Sequence, residues 1–575
     1  MSFKELYKEW RSFPQMEPEL KKELEEISSN DSEIEDRFHK SLEFGTAGLR
    51  GILGAGTNRM NVFTVRQATQ GLSEYIKKTG GSERGVAIAY DSRHYSPEFA
   101  LETAKVLCAN GIKVYLFESL RPTPELSFTV RYLGCIAGVV VTASHNPAKY
   151  NGYKVYGEDG AQLALEAANT VTEEIRSIDM LSGPKTISEE KAIADGLLKY
   201  IGEEVDKAYL EEVFARRVNP DAVKDVKNEF GVVYTPFHGS GNKLVQRILR
   251  MCGLEKLLVV KEQEEPDGSF PTVKSPNPEE KEGFTIAIEL AKKNSMDLII
   301  GTDPDSDRVG IVVKDKNGDY VTFTGNQVGA LLVDYILSQH KEKGTMPENP
   351  VVIKTVVTTE MVRTIADYYG VELMEVLTGF KFIGEKIKVF EKDNSHTFVF
   401  GFEESYGYLS GTYARDKDAV VASMLIVEMA AWYKKKNMTL FDAMEALYEK
   451  YGTYSEGVIN IVEEGIEGPQ RIAAMINKLR ENCPKTLAGL KVDALRDYST
   501  GKVTRFDNAE NSGTNQPLNN MLYLELENGK GWIAIRPSGT EPKLKLYFGY
   551  KDNDAKAAKD KLKELMEDTR AKIQG

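Results

Sequence analysis

The 575-residue chain holds only four cysteines and six histidines, and their scarcity closes off whole classes of protein. Cys108, Cys135, Cys252 and Cys483 stand apart, with no CxxC pair and no cluster of histidines. That excludes a zinc site or disulfide framework and fits reduced thiols in a cytosolic chain. Lysine and arginine (74) are outnumbered by aspartate and glutamate (87), leaving a net charge of −13. The excess positive charge that nucleic acid or an anionic membrane demands is missing. No apolar run approaches the ~18 residues of a membrane span. The N-terminal MSFKELYKEWRSFPQMEPEL is charged and amphipathic, without the apolar core of a signal peptide. A cytoplasmic protein is expected, with small molecules as its partners and neither nucleic acid nor membrane among them.

A chain of this length exceeds one hydrophobic core and should divide into about three to five domains. What is present is a repeat of pattern: strand, helix, strand, helix, then a third strand ending in an unusual polar loop. The first copy runs from RGVAIAYDSR to AGVVVTASHNP, the second from FGVVYTPFHGSGN to MDLIIGTDPDSDR, and the third from PVVIKTVVTT to HTFVFGFEESYGY. Fully apolar strands alternating with helices predict parallel or mostly parallel sheets covered on both faces. In such sheets ligands bind beyond the carboxyl ends of the strands, which is where the three loops fall. After about residue 450 the character changes, through SEGVINIVEE, KVTRFDN and NMLYLELENGKGWIAIRPSGTEPKLKLYFGY, and ends in a Lys-rich helix. The expected fold is α/β, with three tandem similar α/β domains (1–205, 206–322, 323–450) plus a C-terminal α+β domain (451–575), around a central cleft.

Each loop carries its own chemistry. GTDPDSDR sets Asp303, Asp305 and Asp307 at alternate positions after a buried strand, so that three carboxylates crowd and repel unless a cation sits among them. Hard oxygen donors suit Mg2+ or Ca2+. An EF-hand is excluded because its glycine and glutamate positions are Arg308 and Lys314 here. Arg308 is placed to neutralise phosphate. RPSGTEPKLKLY offers Arg536, the hydroxyls of Ser538 and Thr540, amides around Gly539, and Lys543 and Lys545 on one strand face, a donor set for a phosphate monoester. It lacks the Walker pattern. GFEESYGY presents Glu403, Glu404 and Ser405, acceptors suited to sugar hydroxyls. HGSGN, around His238, reads as a structural turn. TASHN places Ser144 beside His145 without the GxSxG elbow of a serine hydrolase. A candidate nucleophile, a metal loop, a polyol loop and a phosphate clamp together describe phosphoryl transfer on a sugar phosphate.

TASHNPAKYNGYK, GTDPDSDR, GFEESYG and RPSGTEPK, in this order, resemble the four signature loops of the α-D-phosphohexomutase superfamily, over nearly the whole chain. The resemblance implies that Ser144 is a phosphoserine in the resting enzyme and holds Mg2+ together with Asp303, Asp305 and Asp307. It implies glucose 1,6-bisphosphate as priming activator. It assigns Arg50, Lys154 and Arg308 as cations near the transferring phosphoryl group, Thr378, Glu403 and Ser405 as sugar contacts, and Lys417 as a substrate contact. Arg536, Ser538, Gly539 and Thr540 would clamp the other phosphate, and His145 and Lys154 are the candidate proton handlers. The EES loop and PDGSFPTVKSPNPE are similar to the long phosphoglucomutase and phosphopentomutase subgroup, implying interconversion of glucose 1-phosphate and glucose 6-phosphate, with pentose or mannose phosphates as the alternative. Dual-specificity members carry a histidine two places after the loop serine, where this chain has Gly407.

Overall fold

The computed structural model describes residues 2–45, 48–463, 467–507, 511–538 and 543–574. They pack into two compact units, one of residues 1–324, 383–394 and 405–439, the other of residues 325–382, 395–404 and 440–575.

The pattern repeat is a repeat of topology. In each of three sheets, the strand that carries a signature loop pairs in parallel with the first strand of its copy, which pairs in parallel with the second. The three sets are Ala137–Val141, Val86–Tyr90 and Val114–Phe117; Leu298–Thr302, Gly231–Thr235 and Lys256–Val259; and Thr397–Glu403, Pro350–Thr355 and Glu372–Val376. The first two sets lie in the first unit and the third in the second. In the first sheet Val86–Tyr90 and Ala137–Val141 are apolar because the helices Ser96–Ala109 and Thr123–Tyr132 cover them.

Both sheets of the first unit are more mixed than the alternating pattern predicts. After Val141 the chain returns antiparallel as Tyr150–Gly157, and after Thr302 as Val309–Lys314. The loops 142–149 and 303–308 are too short for a parallel crossover, which needs a dozen residues or more. This return carries Lys154 back alongside Val140, and Tyr150–Gly157 in turn pairs with Leu49–Ile52, setting Arg50 opposite Gly152. The amphipathic N-terminus forms three helices, Phe3–Ser12, Pro18–Glu26 and Asp31–Phe38, which wrap Trp10 against Phe38 and Phe63.

In the second unit, an antiparallel sheet runs in the order Thr453–Val462, Lys543–Asp552, Gly531–Pro537, Leu522–Leu526, Leu490–Asp497, Lys502–Arg505 and Asn511–Gly513, covered by the helix Ala555–Gln574. One apolar cluster, including Val356, Leu377, Tyr498, Tyr523 and Trp532, joins it to the three parallel strands. Buried Lys354 spans Glu360 (2.8 Å) and Glu375 (3.0 Å), and Arg496 bridges Glu375 and Glu525. Among the described residues no helix is long and apolar enough to cross a membrane.

Candidate active site

Ser144 sits three residues beyond a fully buried strand, in the left-handed region at φ 52°. Such a conformation costs a non-glycine residue roughly 1–2 kcal/mol and persists where the surroundings over-determine it. Its amide donates to Thr142 Oγ1 at 2.8 Å. Its hydroxyl donates to Asp303 Oδ2 at 2.7 Å and lies 3.1 Å from His145 Nδ1. Burial and the neighbouring Arg308 and Arg50 guanidinium groups hold the His145 ring well below its usual range, so it is neutral at neutral pH.

The aspartate loop folds around its own first residue. Asp303 Oδ1 accepts the amides of Asp307 (3.1 Å) and Arg308 (3.0 Å), which wraps the loop and leaves Ser306 in the left-handed region. All three carboxylates are buried. Burial, then mutual repulsion, raises Asp303 well above the carboxylate range and raises Asp307. Asp305 is buried too, but Lys154 Nζ at 2.8 Å and Thr123 Oγ1 at 2.9 Å keep it ionised. Lys417 Nζ holds Asp307 Oδ2 at 3.0 Å and Asp416 Oδ1 at 2.9 Å, and Asp416 is fixed by Tyr156 OH at 2.7 Å. Arg308 donates to Glu279 at 3.0 Å, and Arg50 to Asn146 Oδ1 at 3.2 Å.

The carboxylates suit a divalent cation. One oxygen from each lies within 4.8 Å of the others, and Asp305 Oδ1 and Asp307 Oδ1 are buried yet accept no hydrogen bond among the described residues. Buried carboxylate oxygens left in this state are costly unless a cation meets them, and an all-oxygen donor set favours Mg2+ or Ca2+.

The first unit thus brings together Ser144, His145, Lys154, the three aspartates and Lys417. Ser405, which follows the third signature strand, also belongs to it. In the second unit, buried Glu403 accepts the amide of Gly379 at 2.9 Å, joining the Thr378 turn to the EES loop. Thr378 Oγ1 is buried there and makes no hydrogen bond among the described residues. Arg536 stands opposite Lys545 in neighbouring strands, and Ser538 donates its amide to the carbonyl of Lys543 at 2.7 Å. Gly539 and Thr540 lie outside the described residues.

Sequence reasoning missed Thr123 and Asp416, each visible only as a polar residue at a helix start or beside Lys417. It treated HGSGN as a structural turn, and that turn supports the metal loop: the amide and hydroxyl of Ser240 both donate to the carbonyl of Pro304 at 2.8 Å. A Cβ on Gly239 would stand 2.5 Å from Pro304 Cα, so only glycine permits this approach.

Comparison with known proteins agrees with this arrangement. Four family models match in order: phosphoglucomutase/phosphomannomutase alpha/beta/alpha domains I (residues 41–182), II (207–318) and III (324–451), and the C-terminal domain (524–566). A phosphoglucomutase of Staphylococcus aureus strain USA300 is 40% identical over 530 residues, 90% of this chain and 92% of the relative. That of the bovine strain RF122 is 40% identical over 527 residues, 90% and 91% of the two chains. Among solved structures, a phosphoglucomutase/phosphomannomutase family protein of Burkholderia thailandensis aligns with a TM-score of 0.64 at 19% identity, over 92% of this chain and 96% of that one. Parafusin (phosphoglucomutase) of Paramecium aligns at 0.67 and 17% identity, over 93% and 96%. The chain belongs to the phosphoglucomutase/phosphomannomutase family and is a phosphohexomutase, an isomerase of the phosphotransferase kind.

Proposed function

We propose that this protein interconverts glucose 1-phosphate and glucose 6-phosphate through a phosphoserine at Ser144, in the cytoplasm, with domains divided at 205/206, 322/323 and 450/451. The observation that carries the reading is the Ser144 hydroxyl seated 2.7 Å from Asp303 in a buried carboxylate loop. Ser144 with Asp303, Asp305 and Asp307 would hold Mg2+, which when bound supplies positive charge beside the transferring phosphoryl group.

In the first half-reaction the bond from Ser144 Oγ to phosphorus breaks, and one forms from a free sugar hydroxyl, which gives up its proton. The product is glucose 1,6-bisphosphate, which also primes an unphosphorylated enzyme. In the second, Ser144 Oγ loses its proton and bonds to the phosphorus of the other phosphate, whose bond to the sugar oxygen breaks, and that oxygen takes up a proton. Neutral His145, whose Nδ1 lies 3.1 Å from Oγ, is placed to take the proton that Ser144 loses. Arg50, Lys154 and Arg308 neutralise charge. Lys417 holds Asp307 and meets the substrate, whose hydroxyls are read by Thr378, Glu403 and Ser405. Arg536, Ser538, Gly539, Thr540, Lys543 and Lys545 clamp the phosphate that is not transferred. Such transfer is chiefly positioning and charge neutralisation.

The glucose preference rests on the EES loop and on similarity to the staphylococcal phosphoglucomutases. Steady-state rates with glucose, mannose and ribose 1-phosphates test it; a higher kcat/KM for ribose or mannose 1-phosphate would reassign the substrate. The phosphoserine is tested by intact mass and by labelling with 32P-glucose 1,6-bisphosphate. One phosphate located at Ser144, and loss of turnover in Ser144→Ala, are expected. A wild-type chain that turns over without ever carrying label on Ser144 would refute the mechanism.

A further inference from the structure

The loop that carries Ser144 is organised around a side chain that the proposed chemistry does not use. Arg93, three residues beyond the strand Val86–Tyr90, is 1% exposed, and its guanidinium faces the loop backbone. Nη2 donates to the carbonyls of Ser144 (2.5 Å) and Asn146; Nη1 donates to those of Pro147 (3.0 Å) and Tyr150 (3.1 Å). Four carbonyls, three in the loop and one at the first residue of the returning strand, thus converge on one planar group. The guanidinium is itself fixed. Nε pairs with Asp91 Oδ2 at 3.3 Å, and Asp91 Oδ1 accepts the Arg93 amide (2.9 Å) and the Ser96 hydroxyl (2.7 Å).

The PDGSFPTVKSPNPE connector covers the other side. Phe270, itself left-handed at φ 47° and 1% exposed, lies with its ring centre 5.0 Å from Arg93 Cζ. From the same segment, the Ser275 hydroxyl donates to the carbonyl of His145 at 2.8 Å. The carbonyls of residues 144 to 147 are therefore each held, three by Arg93 and one by Ser275, while the residue at 144 is kept in a conformation it would otherwise avoid.

We propose that Arg93, gripped between Asp91 and Phe270, is the positioning residue that holds Ser144 in its reactive orientation, and that the connector exists to close this grip. A lysine could not replace it. An ammonium offers three donors from a single point, whereas four carbonyls spread over residues 144 to 150 need the flat fork of a guanidinium. Carbonyls that lose their donor inside the protein drive the loop to rearrange. Arg93 acts on the rate at which Ser144 exchanges phosphate, not on sugar-phosphate binding.

The inference rests on Ser144 carrying phosphate, and the experiment separates the two. The full-length wild type, Arg93→Lys and Phe270→Leu are mixed with 32P-glucose 1,6-bisphosphate and Mg2+, and the rate and final stoichiometry of labelling at Ser144 are followed, with KM for glucose 1-phosphate. Arg93→Lys is expected to label to the same stoichiometry as wild type but about 100-fold more slowly, with KM within twofold. Phe270→Leu, which keeps the hydrogen bonds and loosens the grip, is expected to slow labelling about tenfold and stands in if the lysine variant does not fold. Labelling at the wild-type rate in either Phe270→Leu or Arg93→Lys would overturn the proposal. Absence of label in the wild type would instead refute the phosphoserine.

Discussion

The side-chain stem of Lys417 runs through the space where a side chain at position 407 would begin: a Cβ on Gly407 would stand 2.0 Å from Lys417 Cδ. The stem has little room to retreat, because its ammonium is held by Asp307 at 3.0 Å and Asp416 at 2.9 Å. The departure at Gly407 is therefore paired with a lysine that occupies the vacated volume and neutralises a metal-loop carboxylate. No histidine at 407 assists proton transfer in this chain.

Gly407→His is accordingly expected to be a loss rather than a gain. The ring displaces Lys417 from Asp307 and overpacks a buried region, costing about 1–3 kcal/mol of stability and lowering kcat at least tenfold. Thermal unfolding and steady-state kinetics check it; a variant as active and stable as wild type would show that the Lys417 stem moves aside freely.

Lys417→Met removes a positive charge that competes with a cation for Asp307. Mn2+, followed by the EPR signal of the free ion, is expected to bind about tenfold more tightly to this variant, the equivalent of about 1.4 kcal/mol. Unchanged or weaker Mn2+ affinity would show that Lys417 does not oppose the cation.

Ser144→Ala and Ser144→Gly both delete the hydroxyl and its bond to Asp303 and differ only in backbone freedom. Because residue 144 is left-handed, the glycine variant is expected to be more stable than the alanine variant by about 1 kcal/mol, with both inactive. Equal unfolding midpoints in urea would remove the argument for strain.

Glu456, on the first strand of the antiparallel sheet, is pushed up by burial to about 7 from an ordinary 4.5, the nearby Glu360 adding to the shift. The folded state keeps a proton that the unfolded chain releases at lower pH. Its contribution to stability is therefore greatest below pH 4.5 and declines as pH rises to 7, by on the order of 3 kcal/mol at most. In Glu456→Gln that part of the decline is expected to vanish; urea unfolding of both proteins at pH 5 and pH 7.5 measures it. Parallel losses in the two proteins would assign the pH dependence to other groups.

The signature loops were legible because their physics is local. An apolar strand must be followed by a turn, and a turn that spends charged residues at the carboxyl end of a buried strand marks itself as functional. The helices Ser96–Ala109, Thr123–Tyr132 and Met361–Tyr369 were legible for the same reason, from apolar spacing ended by glycine or a turn. The antiparallel returns after Val141 and Thr302 were less legible, because strand direction depends on how far the chain can travel in a short loop.

The sequence by itself determined which chemistry is present: a serine and three alternate carboxylates, each following a buried strand, and a set of cations. Only tertiary structure decided who serves whom. Ser144 meets Asp303 across 159 residues, Lys154 selects Asp305 across 151, and Lys417 takes the space beside Gly407. Arg93, unremarkable in YDSR, becomes the hydrogen-bonding centre of the Ser144 loop. Hydrophobic periodicity and turn chemistry act between near neighbours and can be read from order alone. Pairing of buried charges depends on which strand ends are brought together, and that is settled by the packing of whole sheets.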